Sequence, residues 1–210
     1  MIKVFIADDH TLIREGIKNL IVRESDIKLV GETSNSFEVV EQIKKTKCDI
    51  LILDLSMPGK SGLDVLKEIK MLVPGVQVLI MTMLPEDQFA KRTLKAGASG
   101  YITKDRASEE LITAIRRVAA GKKFITQSLA EKLVSDLDDK SDKSPYEILS
   151  DREFQILKMM AKGTSQTDIA DELSISLSTV NTYRSRIFEK LNFHSNAELI
   201  HFAIQNKLVE

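Results

Sequence analysis

The stretch "MIKVFIADDH" (1–10) contains an apolar run, interrupted by Lys3 alone, that ends in two adjacent carboxylates, Asp8 and Asp9. A short apolar run of this kind favours a buried strand. Neighbouring carboxylates repel each other, and burial would raise their pKa values unless a cation lies nearby. The pair is therefore either solvated on a loop or placed to bind a cation. The stretch by itself favours solvation, so the choice depends on what the rest of the chain brings to the same place.

Four more short apolar runs follow in the first half of the chain: "IKLVG" (27–31), "DILIL" (49–53), "VQVLIM" (76–81) and "GYIT" (100–103). Stretches with a helical apolar stripe lie between and after them, at 11–23, 36–45, 63–72, 86–95 and 108–120. Five alternations of strand and helix predict parallel strands joined by right-handed crossovers. We therefore predict an α/β fold, a doubly wound five-stranded parallel sheet that ends near Gly121.

The pattern changes in the second half. The segment "DLDDKSDKSPYE" (136–147) has few apolar residues and many charges, which is typical of a linker. The pattern from Leu149 onward is helical, and Ser150 with Glu153 forms a predicted capping box at the first helix start. A second, smaller all-α domain is therefore predicted. The expected division is a domain at 1–122, a linker at 123–147 and a domain at 148–210.

Composition limits the class of protein. Of the 210 residues, 43% are hydrophobic and 29% are charged, as in soluble globular proteins. No stretch approaches the roughly 20 apolar residues of a membrane span, and the N-terminal run meets Asp8 too soon for a signal peptide. The single cysteine, Cys48, fits a reducing cytoplasm. Net charge is −1, so any contact with DNA must come from local clusters of cations rather than from bulk charge.

Polar side chains follow four of the five predicted strands at the point where each strand ends. Asp8 and Asp9 follow the first strand, and Asp54 follows the third in "LILDLSMPGKSG". Thr82 follows the fourth strand and Lys104 follows the fifth. Ligands of parallel α/β sheets bind beyond the carboxyl ends of the strands. We therefore expect these side chains to share one edge of the sheet, which makes cation binding the better interpretation of the opening pair.

Three carboxylates that converge on one crevice indicate a hard cation, and Mg²⁺ is the natural choice. Asp54 is the best nucleophile candidate, since it stands alone at its strand end and is followed by a turn with Pro58 and Gly62. A carboxylate can attack phosphorus and form an aspartyl phosphate. Lys104 can pair with the phosphoryl oxygens, and the Thr82 hydroxyl can hydrogen-bond one of them. Asp54, Thr82 and Lys104 are thus the predicted catalytic residues.

These motifs together resemble the receiver domain of two-component response regulators, which has a flavodoxin-like fold. The matching pieces are the acidic pair, the pattern D-x-x-M-P-x-x-x-G from Asp54 to Gly62, Thr82 and Lys104. The resemblance covers all of residues 1–122 and implies that Asp54 is the residue phosphorylated. The Mg²⁺ ligands that it implies are Asp9, Asp54, the backbone carbonyl of Ser56 and, mostly through water, Asp8.

The same resemblance implies that Thr82 and Tyr101 are switch residues. Together with Lys104, they would report the phosphoryl group to the face formed by the fourth helix, the fifth strand and the fifth helix. One departure is Asp105 directly after Lys104, where many receivers have a proline after a cis bond. A cis bond before a non-proline residue costs about 3 kcal/mol, so the isomer stays open.

The segment at 164–191 has a short helix, a break near 174–176 and a longer helix. The exposed face of the longer helix would carry side chains that suit phosphates and base edges. The predicted DNA-binding residues are Ser178, Asn181, Thr182, Arg184, Ser185 and Lys190. From the helical pattern alone, an ordinary helical bundle with a polar surface is an equal alternative.

The stretch "LSDREFQILKMMAKGTSQTDIADELSISLSTVNTYRSRIFEKL" resembles the helix-turn-helix domain of the LuxR/NarL family, and the likeness covers nearly all of 148–210. Its form "TVNTYRSR" resembles the branch that includes the regulators GacA and BvgA. Asn181 and Tyr183 depart from the family, where many members carry Lys and His. This departure leaves DNA binding as the expectation but weakens the transfer of any particular base contact.

Together these features predict a cytoplasmic transcription factor rather than an enzyme. A partner sensor histidine kinase would phosphorylate Asp54, and the phosphorylated homodimer would place two recognition helices on double-stranded operator DNA. The helix at 195–206 is either a dimer contact or packing for the recognition helix. One rival is a phosphotransferase or phosphatase that uses an aspartyl phosphate, but Ser56 stands where such enzymes commonly carry a second acid. The other rival, a regulator that no longer uses phosphate, conflicts with the complete pocket.

Overall fold

Residues 1–127, 129–131, 148–206 and 208–209 are described by a computed structural model of the chain. The chain divides into two compact units, Met1–Asp139 and Lys140–Glu210. Most of the predicted linker, including the charged segment at 136–147, lies outside the described residues.

The first unit is built on one parallel sheet in the order β2-β1-β3-β4-β5. Its strands are β1 (Ile2–Ala7), β2 (Ile27–Thr33), β3 (Ile50–Leu53), β4 (Gln77–Thr82) and β5 (Gly100–Thr103). The order runs outward from β1 in both directions, so the sheet is doubly wound as predicted. The change of direction between β1 and β3 opens a crevice at their carboxyl ends, where ligands of such sheets bind.

Helices cover both faces of this sheet. They are α1 (Thr11–Ile21), α2 (Val39–Thr46), α3 (Gly62–Leu72), α4 (Glu86–Lys95) and α5 (Ala107–Ala119). Val4 and Ile52 of the strands belong to a buried cluster with Ile17 of α1 and Ile115 of α5. Phe5, which alternates with Val4 and so faces the other way, is equally buried. Burial of both faces explains why β3 and the middle of β4 are continuously apolar rather than alternating.

The first residues of the predicted linker pack on this unit. Phe124 forms an isolated parallel bridge with Gly100: its amide donates to Ser99 O at 3.0 Å, and its carbonyl accepts from the Tyr101 amide at 3.0 Å. The Thr126 hydroxyl donates to Glu86 Oε2 at 2.8 Å, at the first residue of α4. The chain that leaves α5 is thereby joined to both β5 and α4.

The described part of the second unit is helical, with α6 (Asp151–Ala161), α7 (Gln166–Glu172), α8 (Leu177–Leu191) and α9 (Asn196–Gln205). The serine before each of these helices accepts a hydrogen bond from an amide of the first turn. The predicted capping box of Ser150 and Glu153 is confirmed. Ser174, with φ of 49°, makes the turn between α7 and α8. The two helices form the predicted helix-turn-helix around buried Ile169, Val180 and Ile187.

Candidate functional site

Four buried polar side chains meet at the carboxyl edge of the sheet. Asp8 directly follows β1, Asp54 directly follows β3, and Lys104 directly follows β5. Thr82 is the last residue of β4, and all four side chains are buried. The backbone holds the acids in place, since the Asp54 amide donates to Ala7 O at 2.9 Å and the Asp8 amide donates to Thr33 O at 3.1 Å. The sheet itself therefore sets the positions of the pocket residues, with Asp9 half-buried beside them.

Lys104 ties the acids together. Its Nζ lies 2.7 Å from Asp54 Oδ2 and 2.8 Å from Asp8 Oδ2. Burial works to lower the pKa of Lys104, but the attraction of Asp54 and Asp8 outweighs it, and the pKa is raised. The lysine is therefore charged at neutral pH. The peptide bond between Lys104 and Asp105, whose isomer the sequence left open, is trans.

Asp8 retains a cost of burial that Lys104 does not remove. Burial raises the pKa of the Asp8 carboxyl, and repulsion from Asp54 adds to that effect. Lys104 and the His10 amide, which donates to Asp8 Oδ1 at 2.8 Å, act in the opposite direction without cancelling it. Three carboxylates face one lysine, so the pocket has an excess of negative charge when all are ionised.

The pocket fits a divalent cation. Ligand atoms of Asp8, Asp9, His10 and Asp54 lie within 4.8 Å of one another. Asp9 Oδ1 is a buried atom that accepts no hydrogen bond from the described residues, and the His10 ring nitrogen Nδ1 lies 3.0 Å from it. Carboxylate oxygens are the ligands that Mg²⁺ prefers, and the excess of negative charge in this crevice favours a cation. Ser56 lies in the same loop, and its amide donates to Asp54 Oδ1 at 3.0 Å.

His10 is a pocket residue that sequence reasoning missed. Its Nδ1 lies 3.0 Å from Asp9 Oδ1, 3.2 Å from Asp8 Oδ1 and 3.3 Å from Lys104 Nζ. The side chain is 57% exposed, so it forms the outer wall of the pocket. The chain's histidines show no metal-ligand spacing, and the signal that could have identified this one was its place directly after the acidic pair.

The two predicted switch residues converge on one backbone group. Thr82 Oγ1 accepts a long hydrogen bond from the Leu84 amide at 3.5 Å and lies 3.5 Å from Ser56 Oγ. Tyr101, which is buried, donates its hydroxyl to the Leu84 carbonyl at 2.8 Å. Leu84 therefore connects the hydroxyl nearest the pocket to the aromatic ring of β5.

On α8, four of the predicted DNA-binding residues share an exposed face: Ser178, Asn181, Thr182 and Ser185. The Thr182 hydroxyl donates to Ser178 O at 3.0 Å, and the Ser185 hydroxyl donates to Asn181 O at 3.0 Å. These hydroxyls are thus bonded to their own helix. The Asn181 amide group is the side chain of this set with both a donor and an acceptor to offer.

The two predicted cations of α8 lie to the sides of that face. Arg184 donates to Asn196 Oδ1 at 3.1 Å, and its guanidinium lies 4.3 Å from the centre of the Phe188 ring. Lys190 Nζ lies 2.7 Å from Glu153 Oε2. Arg186, which is exposed one turn after Thr182, is a further candidate that is not among the predicted DNA-binding residues. Its signal was the i+4 spacing from Thr182.

An open parallel sheet with an acidic pocket, followed by a helix-turn-helix, defines a receiver domain joined to a DNA-binding domain. Residues 4–116 match the family described as "Response regulator receiver domain", and residues 147–203 match "Bacterial regulatory proteins, luxR family". The chain belongs to the two-component response regulators with a LuxR-type DNA-binding domain. The predicted family and fold class are confirmed.

Relatives of the same architecture match along the whole chain. The chain is 36% identical to the response regulator UvrY of Escherichia coli (strain K12), over 99% of this chain and 96% of UvrY. It is also 36% identical to the response regulator GacA of Pseudomonas aeruginosa, over 100% of this chain and 99% of GacA.

A solved structure matches at 27% identity and a TM-score of 0.60, over 99% of each chain. It is RcsB from Salmonella enterica serovar Typhimurium, bound to a promoter in the presence of phosphomimetic BeF3⁻. The present chain is therefore a DNA-binding transcriptional regulator controlled through its receiver domain. None of the helices in the described ranges is long and apolar enough to cross a membrane.

Proposed function

We propose that Asp54 accepts a phosphoryl group from a partner sensor histidine kinase, and that its aspartyl phosphate promotes dimerisation and operator binding. The observation that carries this proposal is the setting of the Asp54 carboxylate. It is buried between Lys104 Nζ at 2.7 Å and the Ser56 amide at 3.0 Å, beside two further acids, Asp8 and Asp9. The proposed domain boundaries are a receiver domain at 1–122, a linker at 123–147 and a DNA-binding domain at 148–210.

The transfer is a displacement at phosphorus. A carboxylate oxygen of Asp54 forms the new P–O bond while the P–N bond to the kinase histidine breaks, and the leaving imidazole nitrogen keeps the electron pair and takes up a proton. Lys104 is placed to exchange one of its carboxylate contacts for a phosphoryl oxygen, and Thr82 can donate its hydroxyl to another. Both groups are held by the sheet, so they are oriented before the phosphoryl group arrives.

Mg²⁺ is the proposed cofactor, with Asp8, Asp9, Asp54 and the Ser56 carbonyl as the residues that would hold it. When bound, it offsets the negative charge of the pocket and of the phosphoryl oxygens. The excess of three carboxylates over one lysine and the raised pKa of Asp8 support this assignment.

The path of the signal follows from Leu84. When the Thr82 hydroxyl turns to a phosphoryl oxygen, it loses the hydrogen bond that it accepts from the Leu84 amide. The carbonyl of the same residue, Leu84, accepts the hydrogen bond from the Tyr101 hydroxyl. We therefore expect phosphorylation to reposition the loop after β4 and Tyr101 with it. The face of α4, β5 and α5 is the proposed dimer surface.

The homodimer would set two copies of α8 in successive major grooves of double-stranded DNA. The exposed face with Asn181 and Thr182 supports base contacts, and Arg184, Ser185, Lys190 and Ser178 are the other proposed DNA-binding residues. RcsB bound to a promoter with BeF3⁻ supports the link between a phosphoryl mimic and DNA. A DNA target and a buried single cysteine fit the cytoplasm as the proposed location.

The test is the variant Asp54→Asn, which keeps the shape of the side chain but removes its nucleophilic charge. We expect it to lose Mg²⁺-dependent, acid-stable labelling by acetyl phosphate and to remain folded with a single cooperative melting transition, since Lys104 keeps Asp8 as an ion-pair partner. Asp64→Asn, which changes an exposed acid of α3, is the matched control and should label normally. Normal labelling of Asp54→Asn would transfer the acceptor role to another carboxylate.

A further inference from the structure

Ser36 lies outside the residues so far assigned a role, yet its hydroxyl is bonded to the loop that follows Asp54. The side chain is only 1% exposed. Its Oγ donates to Pro58 O at 2.6 Å and accepts from the Lys60 amide at 2.8 Å. A serine hydroxyl has one donor and accepts through its lone pairs, so this one group spans both sides of Gly59.

The loop needs such a support at that point. Gly59 has φ of +87°, a left-handed conformation that favours glycine, and the Phe37 ring and Ser36 Oγ fill the place that a Cβ would take. At the base of the loop, the Gly62 amide donates to Leu55 O at 3.4 Å. Ser36 therefore fixes the backbone at the tip of a loop whose base is already closed, and the Lys60 side chain adds an ion pair with Glu68 of α3.

Ser36 is itself held from the other half of the metal pocket. The Thr33 carbonyl accepts a hydrogen bond from the Asp8 amide at 3.1 Å. The Thr33 hydroxyl accepts a second hydrogen bond, from the Asn35 amide at 3.2 Å. Asn35 Oδ1 then accepts the Phe37 amide at 3.0 Å. The hydrogen bonds of Thr33 and Asn35 thus order the β2–α2 loop from Asp8 to Phe37, and Ser36, between Asn35 and Phe37 in the chain, bonds that loop to the β3–α3 loop.

We propose that Ser36 is a positioning residue for the cation site, which holds the β3–α3 loop so that the Ser56 carbonyl and the Asp54 carboxylate meet the same ion. This inference rests on the proposed function of the pocket. Without the hydroxyl, the Pro58 carbonyl and the Lys60 amide lose a buried partner, and the backbone on either side of Gly59 loses the side chain that joins it, while the ion pair of Lys60 with Glu68 and the base of the loop remain. The ion then has to order the loop as it binds, which weakens its affinity.

The test compares Ser36→Ala with Ser99→Ala. Ser99 is a suitable control because it is also a buried serine, 4% exposed, whose hydroxyl donates a short hydrogen bond, to Gln77 Oε1 at 2.6 Å. It lies at the opposite, amino-terminal edge of the sheet. The full-length proteins are titrated with Mg²⁺ alone by calorimetry, and amide exchange of residues 55–60 is followed without metal.

We expect Ser36→Ala to raise the Mg²⁺ dissociation constant on the order of 10-fold, as for the loss of an outer-shell partner, and to speed exchange at the Lys60 amide. Ser99→Ala should lower the melting temperature without either change, and Ser36→Thr, which keeps the hydroxyl, should restore binding. If Ser36→Ala does not fold, Ser36→Cys keeps the shape with a weak donor and serves in its place.

The outcomes separate the two proposals. Wild-type Mg²⁺ affinity and slow Lys60 exchange in the Ser36 variants would overturn the positioning role while leaving the pocket intact. A wild-type protein that neither binds Mg²⁺ nor labels with acetyl phosphate would overturn the proposed function, and with it this role. Equal losses of affinity in the Ser36 and Ser99 variants would make the effect one of general stability and would also overturn it.

Discussion

The receiver pocket and the helix α8 present their polar side chains in opposite ways. In the pocket, the residues come from four strands, are buried and contact one another, as Lys104 does with Asp8 and Asp54. On α8, the residues come from one helix, are exposed and bond to that helix, as Thr182 does. The pocket is a set of groups already arranged for a small ligand, whereas the helix offers a surface whose partner must be another molecule.

The largest effect that tests this contrast is expected from Lys104→Met. It leaves Asp8 and Asp54 buried without their cation, and breaking a buried pair in this way costs about 3–5 kcal/mol. The unfolding of the receiver unit in metal-free buffer, followed by calorimetry, measures it. Lys45→Met removes a lysine paired with exposed Glu41 and should leave the transition nearly unchanged.

The pH dependence gives the sign of that effect. The pKa of Asp8 is raised in the folded protein, so its ionisation costs stability as pH rises through that value, and the cost is absent below the ordinary value of 3.8. The deficit of Lys104→Met should therefore shrink toward acid pH. The pKa of Lys104 is also raised, so its stabilisation is complete below 10.5 and is lost as pH rises above that value. A deficit that grows toward acid pH would contradict this account.

A second, intermediate effect concerns base reading by α8. Asn181→Ala should reduce the discrimination between operator and scrambled duplex by about 1–3 kcal/mol for each base pair that Asn181 contacts. Arg184→Ala should instead weaken binding to both duplexes alike and lower the salt slope by roughly one unit per protomer. Titrations at several salt concentrations measure both quantities. Identical behaviour of the two variants would move base reading to Ser178 and Thr182.

The smallest effect is expected from Lys190→Ala. This variant shows whether Lys190 is a residue held by an internal partner, as in the pocket, or one that is available to another molecule. Burial works to raise the pKa of Glu153, but Lys190 and Ser150 outweigh it, and the pKa is lowered. This stabilisation is present above the ordinary value of 4.5 and is lost as pH falls through the folded value. The variant should lose roughly 1 kcal/mol at pH 7, since Lys190 is partly in water, and less in acid.

Lys190 can also be tested as a DNA contact. If its partner remains Glu153 in the complex, the salt slope of Lys190→Ala should equal that of wild type. A slope lower by one unit would show that Lys190 leaves Glu153 to bind a phosphate, as the sequence-based assignment expects.

The difference between the two regions also explains what the sequence could predict. Strand ends of a parallel sheet share one edge, so the meeting of Asp54 with Lys104, 50 residues apart, followed from the order of the elements. The pairing of Lys190 with Glu153 had no such rule behind it, because it depends on how α8 packs on α6. Ser36 was missed for a similar reason: its partners are backbone groups of another loop, which carry no signal in the sequence.

The docking of Phe124 on β5 has a consequence for anyone who divides this chain into fragments. A receiver piece that stops at residue 122 would remove the carbonyl that accepts the Tyr101 amide and the ring that fills the end of the core. It would also remove the Thr126 hydroxyl, which donates a hydrogen bond to Glu86. A truncated piece would therefore lose supports of its own switch residue and of α4, and its response to phosphate would differ from that of the whole protein. A cut placed after residue 131 preserves these supports.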